Sequence, residues 1–318
     1  MKKEDFYPNL SFAMIKKQIT DSQLLEHLNN LDEDAREVFL LEDNKFRATI
    51  ISTTHLLNQM RANHELGVIE SLVLGQAYIA SALLSATVKG NDRVQLTVEC
   101  GGPVGGIYTE AWACGAVRGY LKNNPIELTK ELTSFDTSDL YGPGFLTVTK
   151  LIEGNKTPFT GQVMLKSGNL AQDLASYFIE SEQTPSLFNL SIDFDKEGRI
   201  IGAGGLFIQA LPGCEDEDLE KMEILANKLP SLSKNITNNT SPKEYIIANF
   251  PSAEHLAHET VGFSCPCSRD NFSKHLMGLP ENEKVAILNE STFPLVLTCF
   301  NCNSHYEFSE DEIKGLMK

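Results

Sequence analysis

Alternation between apolar and polar residues predicts β-strands through much of the first two thirds of the chain. Residues 92–100 (DRVQLTVEC), 105–113 (GGIYTEAWA) and 114–121 (CGAVRGYL) alternate in this way and are separated by glycines, as expected of an antiparallel meander. Further strand-like stretches lie at 37–42, 45–53, 144–152, 159–167, 184–195 and 199–213. The pattern therefore predicts a strand-rich domain.

Two stretches have helical periodicity instead. Residues 67–88 are apolar over the length of a membrane-spanning helix, but Glu70 and Gln76 within them indicate a buried helix of a soluble protein. Residues 169–183 place four apolar side chains at helical spacing. Helices and strands together predict an α+β fold for residues 1–212, with a core of mixed sheet and helix.

The pattern changes at the end of this core. Residues 214–229 begin with acidic side chains, which favour a helix N-terminus, and carry apolar residues along one predicted helix face. These apolar residues are Leu219, Met222, Leu225 and Leu229. Residues 230–245 are rich in Ser, Asn, Thr and Pro, which predicts a flexible connection, and a short amphipathic segment follows at 244–250. We therefore expect a metastable amphipathic linker at 213–261 and a small C-terminal domain at 262–318.

Composition and charge limit the classes of function. The chain has 318 residues, of which 42% are hydrophobic, so it can bury a substantial core. Its 27 basic and 43 acidic residues give a net charge of −16, which disfavours general binding to nucleic-acid phosphates. The N-terminal segment MKKEDFYPNLSFAMIKK lacks the apolar run of an export signal. We expect a cytoplasmic protein with no membrane association.

Four of the seven cysteines form two close pairs in the last fifth of the chain. Cys265 and Cys267 are separated by one residue, and Cys299 and Cys302 are separated by two. A single zinc ion bound tetrahedrally by four thiolates is the simplest site that uses all of them. Because the cytoplasm keeps thiols reduced, such a cluster favours a metal or redox site over a disulfide framework.

The remaining candidate ligands are less well placed. His275 and His305 lie near the cysteine pairs in the sequence and could replace one of them, but four sulfurs already complete a tetrahedral shell. Each histidine is therefore expected to be a surface or packing residue. Cys100 and Cys114 are isolated and are expected to be buried thiols. The reactivity of Cys214 stays open, because a helix N-terminus and acidic neighbours act on its thiol in opposite directions.

The sequence does not predict an enzyme. An all-sulfur zinc site leaves no open position for a water molecule, so hydrolytic zinc catalysis is not expected. The chain also lacks a G-x-S-x-G elbow and an H-E-x-x-H motif.

Six motifs distributed between about residue 36 and residue 310 carry a resemblance to a known family. They are LLSATVKG, VRGY, YFIESEQTPS, GAGGLFIQALPG, FSCPCSRDNFSKHLMGLP and CFNCNSHYEF. Together they resemble the redox-regulated heat-shock holdase chaperones of the heat shock protein 33 family. The two cysteine pairs at this separation, after SEQTPS and AGG, are the most specific part of the resemblance.

The resemblance implies an ATP-independent chaperone that is inactive while it is reduced and binds one zinc ion. Oxidation is then implied to join Cys265 to Cys267 and Cys299 to Cys302 as disulfides, with release of the zinc, and to convert the protein into a binder of unfolding proteins. A homodimer in the oxidised state and transfer of clients to ATP-driven foldases are also implied. We expect clients to contact the four apolar linker residues named above.

Two alternatives belong to other classes of function. A zinc-ribbon module that recognises RNA or a translation partner would need a basic face, but acidic residues outnumber basic ones around the cysteines. A thiol oxidoreductase would use Cys299 and Cys302 at the start of a helix in a βαβ unit and would not need the other pair. Both explain fewer of these residues than a four-thiolate switch does.

Overall fold

A computed structural model of the protein describes residues 14–128 and 136–316. The helices are α1 (Ser22–Asn29), α2 (Thr54–His64), α3 (Val68–Leu84), α4 (Ser138–Tyr141), α5 (Leu170–Glu180), α6 (Asp216–Ala226), α7 (Leu232–Thr237), α8 (Pro242–Asn249), α9 (Arg269–Met277), α10 (Glu281–Glu290) and α11 (Glu310–Leu316). The strands are β1 (Ala35–Leu41), β2 (Phe46–Ser52), β3 (Arg93–Cys100), β4 (Gly106–Trp112), β5 (Ala116–Leu121), β6 (Gly144–Leu151), β7 (Phe159–Met164), β8 (Ser186–Phe194), β9 (Ile200–Ala210), β10 (Glu254–Thr260), β11 (Gly262–Phe263), β12 (Leu295–Thr298) and β13 (His305–Phe308). Residues 1–13, which hold most of the segment in which no export signal is predicted, lie outside the described residues.

The first sheet is antiparallel and has the strand order β10-β1-β2-β9-β8. The edge strand β10 comes from residues that the sequence places at the end of the linker, so the linker returns to the core before the chain enters its C-terminal part. Glu37 of β1 is buried and holds this edge, because its two carboxylate oxygens each lie 2.6 Å from a ring nitrogen, one of His255 and one of His258.

The second sheet has the strand order β11-β5-β4-β3-β6-β7. Its strands β3, β4 and β5 form the antiparallel meander predicted from the alternating pattern, and the short strand β11 adds to β5 in parallel. Gly115 makes this approach possible at the turn before β5. Its φ is +81°, and a Cβ at this position would lie 2.1 Å from the carbonyl oxygen of Thr260.

Helix α3 forms the centre of the core, between the two sheets. Its side chains are buried on nearly all sides, and Val73, Leu74, Ile79 and Leu83 have no solvent exposure. The stretch Val68–Thr87 is long and apolar enough to cross a membrane, but 83% of its most apolar window is buried inside the protein. A helix that is apolar all round is expected in the interior of a domain of this size. The predicted α+β fold is confirmed.

The prediction of a flexible connection after residue 229 is wrong. The region 230–245 is not a flexible connection, because α7 and the first half of α8 lie within it. Ser241 and Glu244 form a capping box at the start of α8, and Pro242 occupies the first turn, so the Ser and Pro residues are helix-start signals. Several other elements were not predicted, among them α2 and β10, and the hairpin and helices of the C-terminal part.

The helices α6, α7 and α8 cover the outer face of the first sheet. Met222, Ile236, Tyr245 and Ile246 of these helices are buried. They pack on a face of the sheet made by Phe39, Leu41, Phe46, Ala48, Ile50, Leu206 and Ile208. This second apolar cluster is separate from the larger core around α3.

Residues 264–316, here called the C-terminal module, contain α9, α10, the β12–β13 hairpin and α11. Few of its side chains are buried. α10 has no buried residue, and α9 buries only Leu276. Burial is concentrated at the four cysteines and at Tyr306, Phe308, Ser304 and Ile313.

Candidate metal centre

Two short segments of backbone bring the four paired cysteines together. Cys265 and Cys267 directly follow β11, which is fixed by its pairing with β5. Cys299 and Cys302 lie in the turn between β12 and β13. There the backbone N–H groups of Cys302 and Asn303 donate to the carbonyl oxygen of Cys299 at 3.2 and 2.7 Å. The turn therefore directs two sulfurs to one side of the hairpin.

The geometry of the four sulfurs fits a tetrahedral thiolate site. All four Sγ atoms lie within 4.8 Å of one another. The Sγ atoms of Cys265 and Cys299 are 3.8 Å apart, and those of Cys267 and Cys302 are 3.3 Å apart. A tetrahedron with metal–sulfur distances of about 2.3 Å has edges of roughly 3.8 Å. The donor set is soft and contains no carboxylate, which suits zinc.

Thiols at these distances need a compensating cation in order to ionise together. Hydrogen bonds from the other three cysteines, and a further one from Arg118, hold the pKa of Cys265 well below its usual range. Two opposing effects act on the pKa of Cys267. The contact with Cys265 raises this pKa, but the hydrogen bonds from Cys299 and Cys302 lower it by more, to about 7. Hydrogen bonding to Cys265 raises the pKa of Cys299 and of Cys302. A divalent cation would stabilise all four thiolates.

Polar side chains surround the sulfurs. The Tyr306 hydroxyl lies 3.3 Å from Cys267 Sγ, and Ser304 Oγ lies 3.2 Å from Cys302 Sγ. The contact with Arg118 differs because the arginine belongs to the core strand β5, and its Nη1 donates to Cys265 Sγ at 3.4 Å. Groups of this kind orient the ligands of a metal site and offset their charge.

Asn63, at the end of α2, fixes the other cysteine turn to the core. This residue is fully buried. Its Nδ2 donates to the carbonyl oxygens of Cys302 and Ile15, both at 2.9 Å, and its own backbone carbonyl oxygen accepts from Asn303 Nδ2 at 2.7 Å. The candidate metal centre is thus buried between the C-terminal module and the core.

Comparison with protein families adds the deciding observation. The model of the Hsp33 protein family matches residues 34–309, which include both cysteine pairs and all the core strands. This chain belongs to the Hsp33 family. The resemblance inferred from the six sequence motifs is confirmed.

Individual Hsp33 relatives agree over most of their length. The chain is 34% identical over 279 residues to a 33 kDa chaperonin of Desulforamulus reducens, covering 87% of this chain and 94% of the relative. It is 33% identical over 282 residues to the 33 kDa chaperonin of Bacillus subtilis, covering 87% and 96%. The crystal structure of the Thermotoga maritima 33 kDa chaperonin superposes with a TM-score of 0.80 at 31% identity, covering 90% of this chain and 98% of that one.

The family assignment supports a chaperone, because the relatives of this chain in the Hsp33 family are named chaperonins. It does not favour the alternative of a zinc-ribbon module for RNA.

Two histidines near the cysteine pairs in the sequence were also considered as metal ligands. His275 is exposed on α9, and His305 pairs through Nδ1 with Thr298 Oγ1 at 2.9 Å across the hairpin. Neither belongs to the group of possible ligands found among the described residues.

The three isolated cysteines of this Hsp33 chain lie outside that group as well. Cys114 is buried as expected, whereas Cys100 and Cys214 are partly exposed. Partial burial still raises the pKa of Cys100. Burial, and after it the charge of Asp218, raise the pKa of Cys214.

The four apolar linker residues do not share one face. Met222 is buried against the first sheet, and Leu219 and Leu229 pack partly against the same cluster. Leu225 faces solvent and is 41% exposed. Because one helical turn spans 3.6 residues, two successive steps of three residues rotate Leu225 by about 120° around the helix from Leu219. α6 ends at Ala226, so Leu229 lies beyond the helix.

Arg118 and Asn63 were not predicted as parts of the site. VRGY was recognised only as a family motif, and nothing in the sequence connects it to cysteines that lie far along the chain. The one available signal was polarity, because an arginine within an otherwise apolar strand needs an anionic partner.

Proposed function

We propose that this protein is a redox-regulated, ATP-independent holdase chaperone that binds unfolding proteins under oxidative stress. The observation that carries the proposal is the buried cluster of four cysteine sulfurs, within 4.8 Å of one another, in a chain of the Hsp33 family. The reduced, zinc-bound form is the inactive one. Oxidation to disulfides with release of zinc activates it.

The proposed ligands of the single zinc ion are Cys265, Cys267, Cys299 and Cys302. When bound, the ion supplies positive charge that keeps the four sulfurs deprotonated and holds the module folded. The module depends on this support because its helices bury little apolar surface. Structural zinc in small domains contributes on the order of 10–16 kcal/mol of apparent folding free energy.

The proposed disulfides join Cys265 to Cys267 and Cys299 to Cys302, as in the family that the chain resembles. Such bridges close loops of three or four residues and constrain the unfolded chain by only about 1.5–2 kcal/mol each. A bridge from Cys265 to Cys299 would constrain it by about 4 kcal/mol in the same loop-entropy model. Pairing of neighbours therefore removes the metal without replacing the support that the metal gave.

We divide the chain into a core at 1–212, a linker at 213–261 and a redox-switch domain at 262–318. The linker is the element through which unfolding of the switch would spread, because β10 joins it to β11 and the cysteines. Its helices cover an apolar sheet face, and they are themselves short. Helices of this length are not stable without tertiary packing.

Clients would bind where the linker lies in the reduced form. The proposed contacts are Leu219, Met222, Leu225 and Leu229, together with the sheet face beneath them. An apolar groove with a volume of ≈ 440 Å³ already opens beside Leu219 and Met222, between α6 and α5. Exposed apolar surface of this kind binds unfolded chains without sequence specificity.

The remaining parts of the proposal follow the family resemblance. The oxidised protein would form a homodimer and pass its clients to ATP-driven foldases. It would act in the cytoplasm, without membrane or general nucleic-acid binding, and without catalytic activity. The net charge of −16 supports the absence of nucleic-acid binding.

The deciding experiment measures zinc content and chaperone activity on the same samples. Reduced, zinc-loaded protein is treated with peroxide or hypochlorite, and zinc release is followed with a colorimetric chelator. Suppression of the aggregation of a chemically denatured client is followed by light scattering, with and without ATP. We expect about one zinc per chain before oxidation, and suppression only after zinc release and independent of ATP. Zinc that stays bound on oxidation, or suppression that does not depend on redox state, would refute the proposal.

A further inference from the structure

Arg118 connects the core to the candidate metal centre through one side chain. Its Nη1 donates to Cys265 Sγ at 3.4 Å. Its Nε and Nη2 contact Glu110 Oε2 at 2.8 and 2.6 Å. The planar guanidinium therefore bridges a carboxylate of β4 and a sulfur of the C-terminal module. Because arginine is always charged and only donates hydrogen bonds, it requires acceptors on both sides.

The excess of positive charge around Arg118 favours a thiolate at Cys265. Glu110 is only 2% exposed and is shared with a second arginine, Arg93, whose Nε contacts its other oxygen. Both guanidinium groups also lie over Trp112, with Cζ at 5.0 Å from the ring centroid for Arg118 and 5.8 Å for Arg93. Two cations thus face one carboxylate. A thiolate at Cys265 would balance the positive charge that Glu110 alone leaves uncompensated.

Arg118 also lies at the centre of the contact between the module and the core. The residue before it, Val117, accepts a hydrogen bond from the N–H of Ser264 at 3.0 Å. The residue after it, Gly119, donates to the carbonyl oxygen of Asn301 at 3.1 Å. Three consecutive residues of β5 therefore hold both cysteine segments, and the arginine supplies the one charged contact among them.

We propose that Arg118 senses the oxidation state of Cys265 and holds the C-terminal module on β5 only while that sulfur is a thiolate. This inference rests on the oxidation step of the proposed function. In that step the thiolates of Cys265 and Cys267 give two electrons to a peroxide. An S–S bond forms, the O–O bond breaks, and two protons are taken up to give two water molecules. The uncharged disulfide sulfur is a weak acceptor, so Arg118 loses one of its two anionic partners.

The chain contains its own reporter for this event. Trp112 is the single tryptophan and is 2% exposed. The guanidinium of Arg118 lies over its ring in a cation–π contact. Movement of that cation, or entry of water when the module leaves β5, changes the tryptophan emission.

The test follows Trp112 fluorescence, zinc release and free thiols while the full-length, zinc-loaded protein is titrated with hydrogen peroxide. In the wild type we expect the emission to change in step with disulfide formation. In R118M the emission of the reduced protein should already differ, and the further change on oxidation should be smaller than in the wild type. Amide exchange at 262–264 should be at least about tenfold faster in reduced R118M than in reduced wild type, as expected for loss of a charge-assisted hydrogen bond.

R93M is the matched control, because Arg93 contacts Glu110 and Trp112 but not a cysteine. It should keep the redox-linked change in emission and the slow exchange at 262–264. If R93M and R118M behave alike, the contact with the sulfur has no special role and the proposal fails. It fails also if the wild-type emission stays constant while thiol counting shows that the disulfides have formed.

R118K keeps the proposal testable if R118M does not fold. The lysine retains the positive charge but has a single ammonium group, which cannot span the carboxylate and the sulfur as a guanidinium does. We expect a folded protein with a smaller redox-linked change in emission. A response of wild-type size in R118K would contradict the bridging role.

Failure of this inference can be told apart from failure of the proposed function. Wild-type protein that suppresses aggregation after oxidation, with silent Trp112 fluorescence, overturns the sensing role and leaves the chaperone proposal standing. Wild-type protein whose emission follows disulfide formation, but which never suppresses aggregation, supports the sensing role and overturns the chaperone proposal.

Discussion

The core and the C-terminal module are stabilised in different ways. In the core, α3 buries side chains along its whole length, and the strands on either side add to one continuous apolar cluster. In the module, α9 and α10 together bury one side chain, Leu276. The core can therefore fold by apolar burial, whereas on the proposed function the module depends on metal bound at the four-sulfur site. The proposed redox switch rests on this difference, because it requires the C-terminal module to lose its support while the core keeps its own.

Loss of the metal ligands should have the largest effect. Cys302→Ser removes one sulfur from the cluster, and we expect loss of zinc and of amide protection throughout residues 264–316, with protection of α3 unchanged. The expected loss is on the order of 10 kcal/mol or more of apparent stability, confined to the module. Hydrogen exchange and zinc content provide the measurement. Cys100→Ala, at a thiol outside the cluster, should keep the metal; equal loss in both variants would contradict the assignment.

A cavity in the core should destabilise the core and leave the metal site of the C-terminal module intact. Leu83 of α3 has no solvent exposure, so Leu83→Ala should lower the free energy of unfolding of the core by about 2–5 kcal/mol. Zinc should remain bound, because the module does not depend on this side chain. Urea unfolding followed by circular dichroism, together with zinc content, checks both statements. Zinc loss of the size seen in Cys302→Ser would show that the two regions unfold as one unit.

The linker connects the core to the C-terminal module. Substitutions at two of its residues test how α6 is held on the first sheet. Met222→Asp places a charge in the cluster between α6 and the first sheet, where the side chain is 4% exposed. We expect α6 to undock, at a cost of about 1–3 kcal/mol, and to give partial suppression of aggregation without oxidant. Leu225→Asp, at a position that is 41% exposed, should change stability by less than about 0.5 kcal/mol.

The same two variants test the client surface after oxidation. Each places a charge at a proposed client contact, so oxidised Met222→Asp and Leu225→Asp should suppress aggregation less well than the oxidised wild type. Light scattering with a denatured client measures this. Unchanged suppression by both oxidised variants would contradict the role of α6 in client binding, whatever their effect on the reduced protein.

Features that depend on local pattern could be predicted from the sequence, and features that depend on distant contacts could not. The strands around α3 follow alternation, and the cysteine pairs follow spacing. α2 was overlooked because its buried face includes Asn58 and Asn63, which look like exposed residues. Asn58 Nδ2 donates to the carbonyl oxygens of Thr54 in the same helix and Ile200 in β9, both at 2.9 Å, so a tertiary hydrogen bond that the sequence does not reveal helps to make its burial possible. Arg118 was overlooked for the same kind of reason.

The smallest expected effect is a pH dependence that belongs to the core. His55 Nδ1 lies 3.5 Å from Asp34 Oδ1, and Nε2 lies 3.0 Å from the carbonyl oxygen of Leu28. Both ring nitrogens face acceptors, so the protonated ring satisfies both. The hydrogen bond with Asp34 raises the pKa of His55 above its usual value. A raised histidine pKa stabilises the folded state fully below about pH 6.5, and this stabilisation is lost as the pH rises through the folded-state value.

His55→Gln should therefore reduce the difference in unfolding free energy between pH 5.5 and pH 8. We expect a change of less than about 1 kcal/mol, because the side chain is 38% exposed and solvent screens the pair. Urea unfolding of the core at the two pH values is the measurement. Asp34→Asn should remove the same pH dependence but also lower stability at both pH values, because Asp34 Oδ2 accepts from the N–H of Leu56 at 2.7 Å. A pH dependence that survives in both variants would have to arise elsewhere, and acid loss of thiolate ligands in the module would then be the first place to look.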